Sequence, residues 1–192
     1  MRRRLTSLLL AGTTLLLACD FGGGYQGMAI DPPRAMPTFT FQRANGSVFS
    51  TAPVPGRPLV LFFGYTHCPD VCPTTLADWK RVRATLGDQA KAVRFVFVTV
   101  DPDRDTPAVA ERYAKLYDAA FEGVSGDAAT TSRMMEAFGV AAAPEPGTGA
   151  TGYLVSHSSQ VFLVDATGRL VALYPFGTGW DALAADLRRL VS

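Results

Sequence analysis

Along this chain the apolar positions alternate, then run together, then recur at helical spacing, and each change of period marks an element. Phe39 and Phe41 alternate with polar neighbours, Asn45-Gly46 is a two-residue turn signal, and Val48 and Phe49 follow, which predicts an N-terminal β-hairpin. Leu59-Val60-Leu61-Phe62-Phe63 is a continuous apolar run, suited to a strand buried on both faces. A loop carrying Cys68 and Cys72 comes next. Pro73 then sits at a first helical turn, with Leu76, Trp79, Val82 and Leu86 on one face and a stop at Gly87. Residues 93–100 read as a second buried strand. Thr106-Pro107 opens another helix, with Val109, Tyr113, Leu116 and Tyr117 as its apolar stripe. A shorter helix runs from about Asp127 to Phe138, and residues 141–152 form a loop rich in Ala, Gly and Pro. Strands at 161–165 and 170–174 close across Ala166-Thr167-Gly168, and a last helix from Trp180 to Val191 buries Trp180, Leu183, Leu187 and Leu190.

After the hairpin the order is β-α-β-α-(α)-β-β-α. Strands alternating with helices imply an α/β domain with a parallel core and helices on both faces, finished by an antiparallel hairpin. This is the element order of a thioredoxin-like fold, here carrying an N-terminal β-hairpin extension, and it is assigned to residues 37–192.

The first 36 residues have a different character. Arg2-Arg3-Arg4 precede 14 apolar or small residues, Leu5 to Ala18. That run is shorter than the about 20 residues of a membrane span and has the form of a signal peptide. Leu16-Leu17-Ala18-Cys19 resembles the lipobox of bacterial lipoproteins, which implies cleavage before Cys19 and lipidation of its thiol. Asp20 resembles an inner-membrane retention signal. Residues 19–36, rich in Gly and Pro, are expected to be a flexible tether. The expected location is therefore the bacterial cell membrane, lipid-anchored, with the domain on the periplasmic side.

Composition narrows the chemistry. Hydrophobic residues make up 48% of the 192, which excludes a largely disordered chain. A net charge of +1, falling to −2 once the three leader arginines are removed, argues against a nucleic-acid binder. Three cysteines are too few for a disulfide-stapled scaffold. The two histidines, His67 and His157, restrict any imidazole site to very few candidates.

The chemistry concentrates in Tyr65-Thr66-His67-Cys68-Pro69-Asp70-Val71-Cys72-Pro73, between a buried strand and the helix it feeds, where sites assemble in open α/β sheets. Helix N-terminal amides favour thiolates there. If the loop coils like a helical turn, the four-residue spacing brings both sulfurs to one side, close enough for a disulfide or a soft metal ion. A thioredoxin-type redox loop would have two residues between its cysteines and a proline before the facing strand. Here there are three, and Ser156-His157-Ser158 stands where that proline would be. A peroxiredoxin would carry Thr three residues before its reactive cysteine, and Tyr65 and Pro69 occupy those positions. Two thiolates plus the His157 imidazole suit three-coordinate copper(I), whereas zinc would want a fourth ligand. His67 is expected to point away from Cys68 as a bystander. Asp101, Asp103 and Asp105 fail as a calcium loop, with Thr106 at position six and Arg112 at position twelve, and read as a capped strand-to-helix connection near the site. Met134 and Met135 could suggest thioether metal ligands, but their helical position places Met135 with Phe138 in the core.

Three segments together resemble the Sco/SenC family: Phe62-Phe63-Gly64-Tyr65-Thr66-x-Cys68-Pro69-Asp70-Val71-Cys72-Pro73-Thr74, then Asp101-Pro102-x-Arg104-Asp105-Thr106-Pro107, then His157-Ser158. The resemblance implies a thioredoxin-like, membrane-tethered protein that binds copper(I), and also copper(II), through Cys68, Cys72 and His157. It implies a partner in cytochrome c oxidase subunit II, whose binuclear copper site is assembled with its help, and a periplasmic copper donor. Ser156 departs from the family, many of whose members carry an acidic residue before the histidine. Two functions remain on the same sulfurs. One is a copper metallochaperone, a carrier rather than a catalyst. The other is a thiol–disulfide reductase with Cys68 and Cys72 as its redox pair, keeping the oxidase cysteines reduced. His157 favours the carrier, because a pure reductase has no need of it.

Overall fold

The computed structural model describes residues 24–146 and 152–192. The expected signal peptide, Cys19 and the first residues of the tether lie outside the described residues. The main sheet has six strands in the order β1 (Met28–Ala35), β10 (Arg169–Tyr174), β9 (Val161–Val164), β4 (Leu59–Gly64), β5 (Arg94–Thr99), β6 (Glu122–Val124). β4 and β5 pair in parallel from Leu59 against Arg94 to Gly64 against Thr99, and β9 flanks β4 antiparallel. Every residue of β4 is buried, as its unbroken apolar run requires.

Side chains alternate between two layers. Val60, Phe62, Phe95, Phe97 and Leu163 face α1 (Val71–Leu86), α2 (Pro107–Lys115) and α4 (Trp180–Leu190). Leu61, Phe63, Val96, Val98 and Phe162 face α3 (Ala128–Phe138) and the expected hairpin, β2 (Thr40–Gln42) with β3 (Val48–Ser50). The period of two in the strands thus becomes a three-layer α/β domain. Among the described residues no helix is long and apolar enough to cross a membrane.

Five local expectations change. The tether expected over residues 19–36 ends early: Met28–Ala35 is an edge strand on β10, and Gln26 and Gly27 donate their backbone N–H groups to the buried Asp186 carboxylate. Pro32 and Pro33, which made the stretch look unstructured, are tolerated on an edge, where the register shifts between Ala29 and Arg34. The loop expected at 141–152 opens with a strand, β7 (Ala142–Glu145), which pairs with β8 (Leu154–His157) just beyond it as a two-stranded arm from Ala142 against His157 to Glu145 against Leu154. Three-residue β6 has too little pattern to be seen in sequence. In α2 the buried residues are Ala110 and Ala114, while Leu116 is 75% exposed. That helix lies so close to β6 that a Cβ on Gly123 would meet the Ala110 carbonyl, so only small side chains fit between them. In α3 it is Met134 that is fully buried with Phe138, and Met135 packs at the core margin.

Candidate metal centre

The cysteine half of the centre is built on the sheet. β4 ends at Gly64, and the chain turns through Tyr65, whose carbonyl accepts from the Cys68 N–H at 3.2 Å, before α1 begins at Val71. Asp70 stands at the N-cap but makes no side-chain cap. The cap is supplied by sulfur: the Cys72 N–H, in the first turn, donates to Cys68 Sγ at 3.3 Å. Cys72 is fully buried on the core side of α1, and Cys68 is half-buried. Gly64 is obligatory here, because a Cβ would stand 2.7 Å from Cys72 Sγ and 2.9 Å from the Phe62 and Phe97 rings.

The histidine half comes from the arm. His157 is the last residue of β8, and its Nε2 lies 3.7 Å from Cys72 Sγ. Its Nδ1 is 2.9 Å from the Ser158 carbonyl, which only accepts, so Nδ1 carries the proton and Nε2 presents its lone pair to the sulfurs. Phe62 and Tyr65 meet the imidazole edge-on, at 5.9 and 5.8 Å between ring centres, and fix its plane. The ligand atoms of Cys68, Cys72 and His157 all lie within 4.8 Å of one another, and among the described residues no other group of three or more His, Cys, Asp or Glu is placed to hold a metal ion.

The two thiols are free and unequal. The Cys72 thiol donates to Cys68, and the Cys72 and Asp70 amides add further bonds, so the Cys68 pKa is lowered to about 4 against the effect of burial. Cys72 is pushed up, because it holds the shared proton and is buried. One negative charge therefore already resides on the pair, and a bound cation would complete the site by displacing the second proton. A cleft of about 310 Å³ lined by Tyr65, Cys68, Asp70, Glu145, Ser156 and His157 opens the centre to the surface.

The remaining sequence candidates fall as follows. His67 is directed away, with Nδ1 3.3 Å from Thr66 Oγ1 and 3.8 Å from Asp105 Oδ1. Ser156 is exposed on the outer face of β8, opposite Ala143. The acidic series does more than the expected capped connection. Thr106 caps α2, but the buried Asp105 carboxylate accepts from the Thr66 N–H at 2.8 Å, the Thr66 hydroxyl at 2.5 Å and the Thr99 hydroxyl at 2.7 Å, and so ties down the cysteine loop. Asp101 accepts from the Tyr153 hydroxyl at 2.6 Å. Tyr153 carried no signal in the sequence beyond its place four residues before His157.

A Stutzerimonas stutzeri protein whose name ascribes copper binding to it is 36% identical over 174 residues, 88% of this chain and 85% of that protein. The solved structure of Thermus thermophilus apo Sco1 is 36% identical with a TM-score of 0.74, over 86% of this chain and 96% of that one. Bradyrhizobium japonicum ScoI, solved with copper bound, is 35% identical with a TM-score of 0.73, over 81% and 99%. The fold is thus the thioredoxin-like Sco fold, preceded by its N-terminal hairpin strands. With residues 28–192 matching the SCO1/SenC family, the chain belongs to that family.

Proposed function

We propose that this protein is a copper metallochaperone that binds copper(I), and also copper(II), through Cys68 Sγ, Cys72 Sγ and His157 Nε2. The observation that carries the reading is the convergence of those three atoms within 4.8 Å, with the imidazole tautomer fixed by Ser158. Two soft thiolates and one imidazole favour copper(I) over zinc, for which the cluster offers no fourth protein ligand among the described residues. The half-buried Cys68 at the cleft gives an incoming thiolate a route to the metal, so copper can pass by ligand exchange, sulfur to sulfur. The family is one of cytochrome c oxidase assembly proteins, and the acceptor we propose is the binuclear copper site of oxidase subunit II, with a periplasmic protein as donor. Cys19 is proposed as the lipid attachment that holds the domain at the extracytoplasmic face of the membrane.

A second reading, thiol–disulfide reductase of the oxidase cysteines, is favoured by one observation. Cys68 is ionised beside a protonated Cys72, which is an attacking thiolate next to a resolving thiol. The two readings separate in a competition titration of the fully reduced protein with copper(I). The carrier is expected to bind one copper per chain and to lose affinity about 10- to 100-fold in His157→Ala. Unchanged affinity in His157→Ala, with rapid reduction of a disulfide substrate, would favour the reductase.

A further inference from the structure

The two halves of the centre come from different sheets, and one short turn touches both. Asp105 holds Thr66 on the cysteine loop. Four residues earlier in the same turn, Asp101 is buried and takes the Tyr153 hydroxyl on Oδ1 at 2.6 Å and the Arg104 Nε–H on Oδ2 at 2.5 Å. Arg104 then donates from Nη1 to the Tyr153 carbonyl at 2.8 Å, and its guanidinium lies 3.6 Å above the Tyr153 ring. Tyr153 is therefore held by its hydroxyl, its carbonyl and its ring at once.

Tyr153 immediately precedes β8, and strand alternation puts Tyr153, Val155 and His157 on one face. The burial agrees: Val155 is buried, Tyr153 and His157 are half-buried, and Leu154 and Ser156 are exposed. Among the described residues the arm pairs with no strand of the main sheet, so backbone pairing with that sheet does not set its register. A slip of β8 by one residue would turn Ser156 inward and His157 out to solvent. From this geometry we infer that Tyr153, gripped by Asp101 and Arg104, is a positioning residue that keys the register of β8 and so aims His157 at the two sulfurs. The inference rests on the three-ligand reading of the centre and extends it.

Copper(I) competition titrations of the purified full-length protein test this, with melting temperature as the folding control. Tyr153→Phe removes the hydroxyl and keeps the ring on Arg104. It is expected to weaken copper(I) binding about 10-fold, in the range seen when partners that orient a ligand are removed. Asp101→Asn, which keeps shape and removes charge, gives a second variant with the same expected loss. The decisive arm repeats Tyr153→Phe in a His157→Ala background, where a residue acting through His157 has nothing left to aim, and affinity is expected to change less than about twofold. An equal loss in both backgrounds would mean a general structural role and would overturn the inference. Native affinity in both Tyr153→Phe and Asp101→Asn, with His157→Ala still weak, would overturn it while leaving the three-ligand centre standing. If His157→Ala itself binds copper normally, the centre and this inference both fall, and that result identifies the centre as the error.

Discussion

The cysteine loop and the histidine arm supply the same centre but are built to different standards. The loop grows out of β4, whose residues are all buried, and runs into α1, the helix that carries Trp79 into a cluster with Phe62, Phe95 and Phe121. The arm has two strands of four residues, and Val155 is the only buried residue in them. Cysteine geometry is thus as stable as the domain, whereas the arm can open at a smaller cost. For a carrier the division is useful. On the proposed reading two strong ligands would stay preorganised, and the third would come from the part of the molecule that yields first.

The strongest way to break the comparison is to damage the core beneath the loop. Phe62 is fully buried, contacts Trp79 and Phe97, and borders the His157 ring. Phe62→Ala is expected to cost about 3–5 kcal/mol of global stability, read by denaturant unfolding. Next is Gly64→Ala, whose methyl group would overlap Cys72 Sγ and two aromatic rings. A loss of about 1–3 kcal/mol is expected, together with a lower copper stoichiometry in the folded fraction. An arm substitution should behave differently. Ser158 Oγ accepts from the Ala141 N–H at 3.1 Å while the backbone pair between the same residues remains. Ser158→Ala is expected to cost less than about 1 kcal/mol globally and to speed hydrogen exchange in β8 but not in β4. Equal acceleration in both strands would mean that the arm and the sheet open as one unit.

The smallest effect is a change of profile rather than of stability. With its pKa lowered to about 4, Cys68 is a thiolate at every pH above that value. Its alkylation rate is expected to stay flat from pH 6 to 9, where an unperturbed thiol accelerates roughly tenfold per pH unit until it approaches its own pKa of about 8.5. Cys72, pushed up and buried, should remain unmodified over the same range. A Cys68 rate that climbs steadily to pH 8.5 would remove the preformed charge from the account.

Sequence and structure part along the same line. The strands whose residues are buried on both faces, and α1 with Leu76, Trp79 and Val82, were legible because burial leaves a dense periodic pattern. The convergence of Cys68, Cys72 and His157 was legible because these residue types are rare in this chain and have few alternative uses. The arm was not, because Ala142 to Glu145 and Leu154 to His157 are mostly exposed and carry no apolar alternation of the kind that marks a half-buried strand. β1 was hidden by prolines that only an edge tolerates. The roles of Asp101, Asp105 and Tyr153 depend on contacts 39 to 52 residues apart in the chain, which spacing alone does not reveal.

The central claim is that the rigid half gives two ligands and the arm gives one. X-ray absorption at the copper edge of the fully reduced protein, loaded with one equivalent of copper(I), tests this directly. The account requires a three-coordinate ion with two sulfurs and one imidazole nitrogen, and loss of the nitrogen in His157→Ala. A linear two-sulfur ion in the native protein, unchanged by His157→Ala, would contradict it.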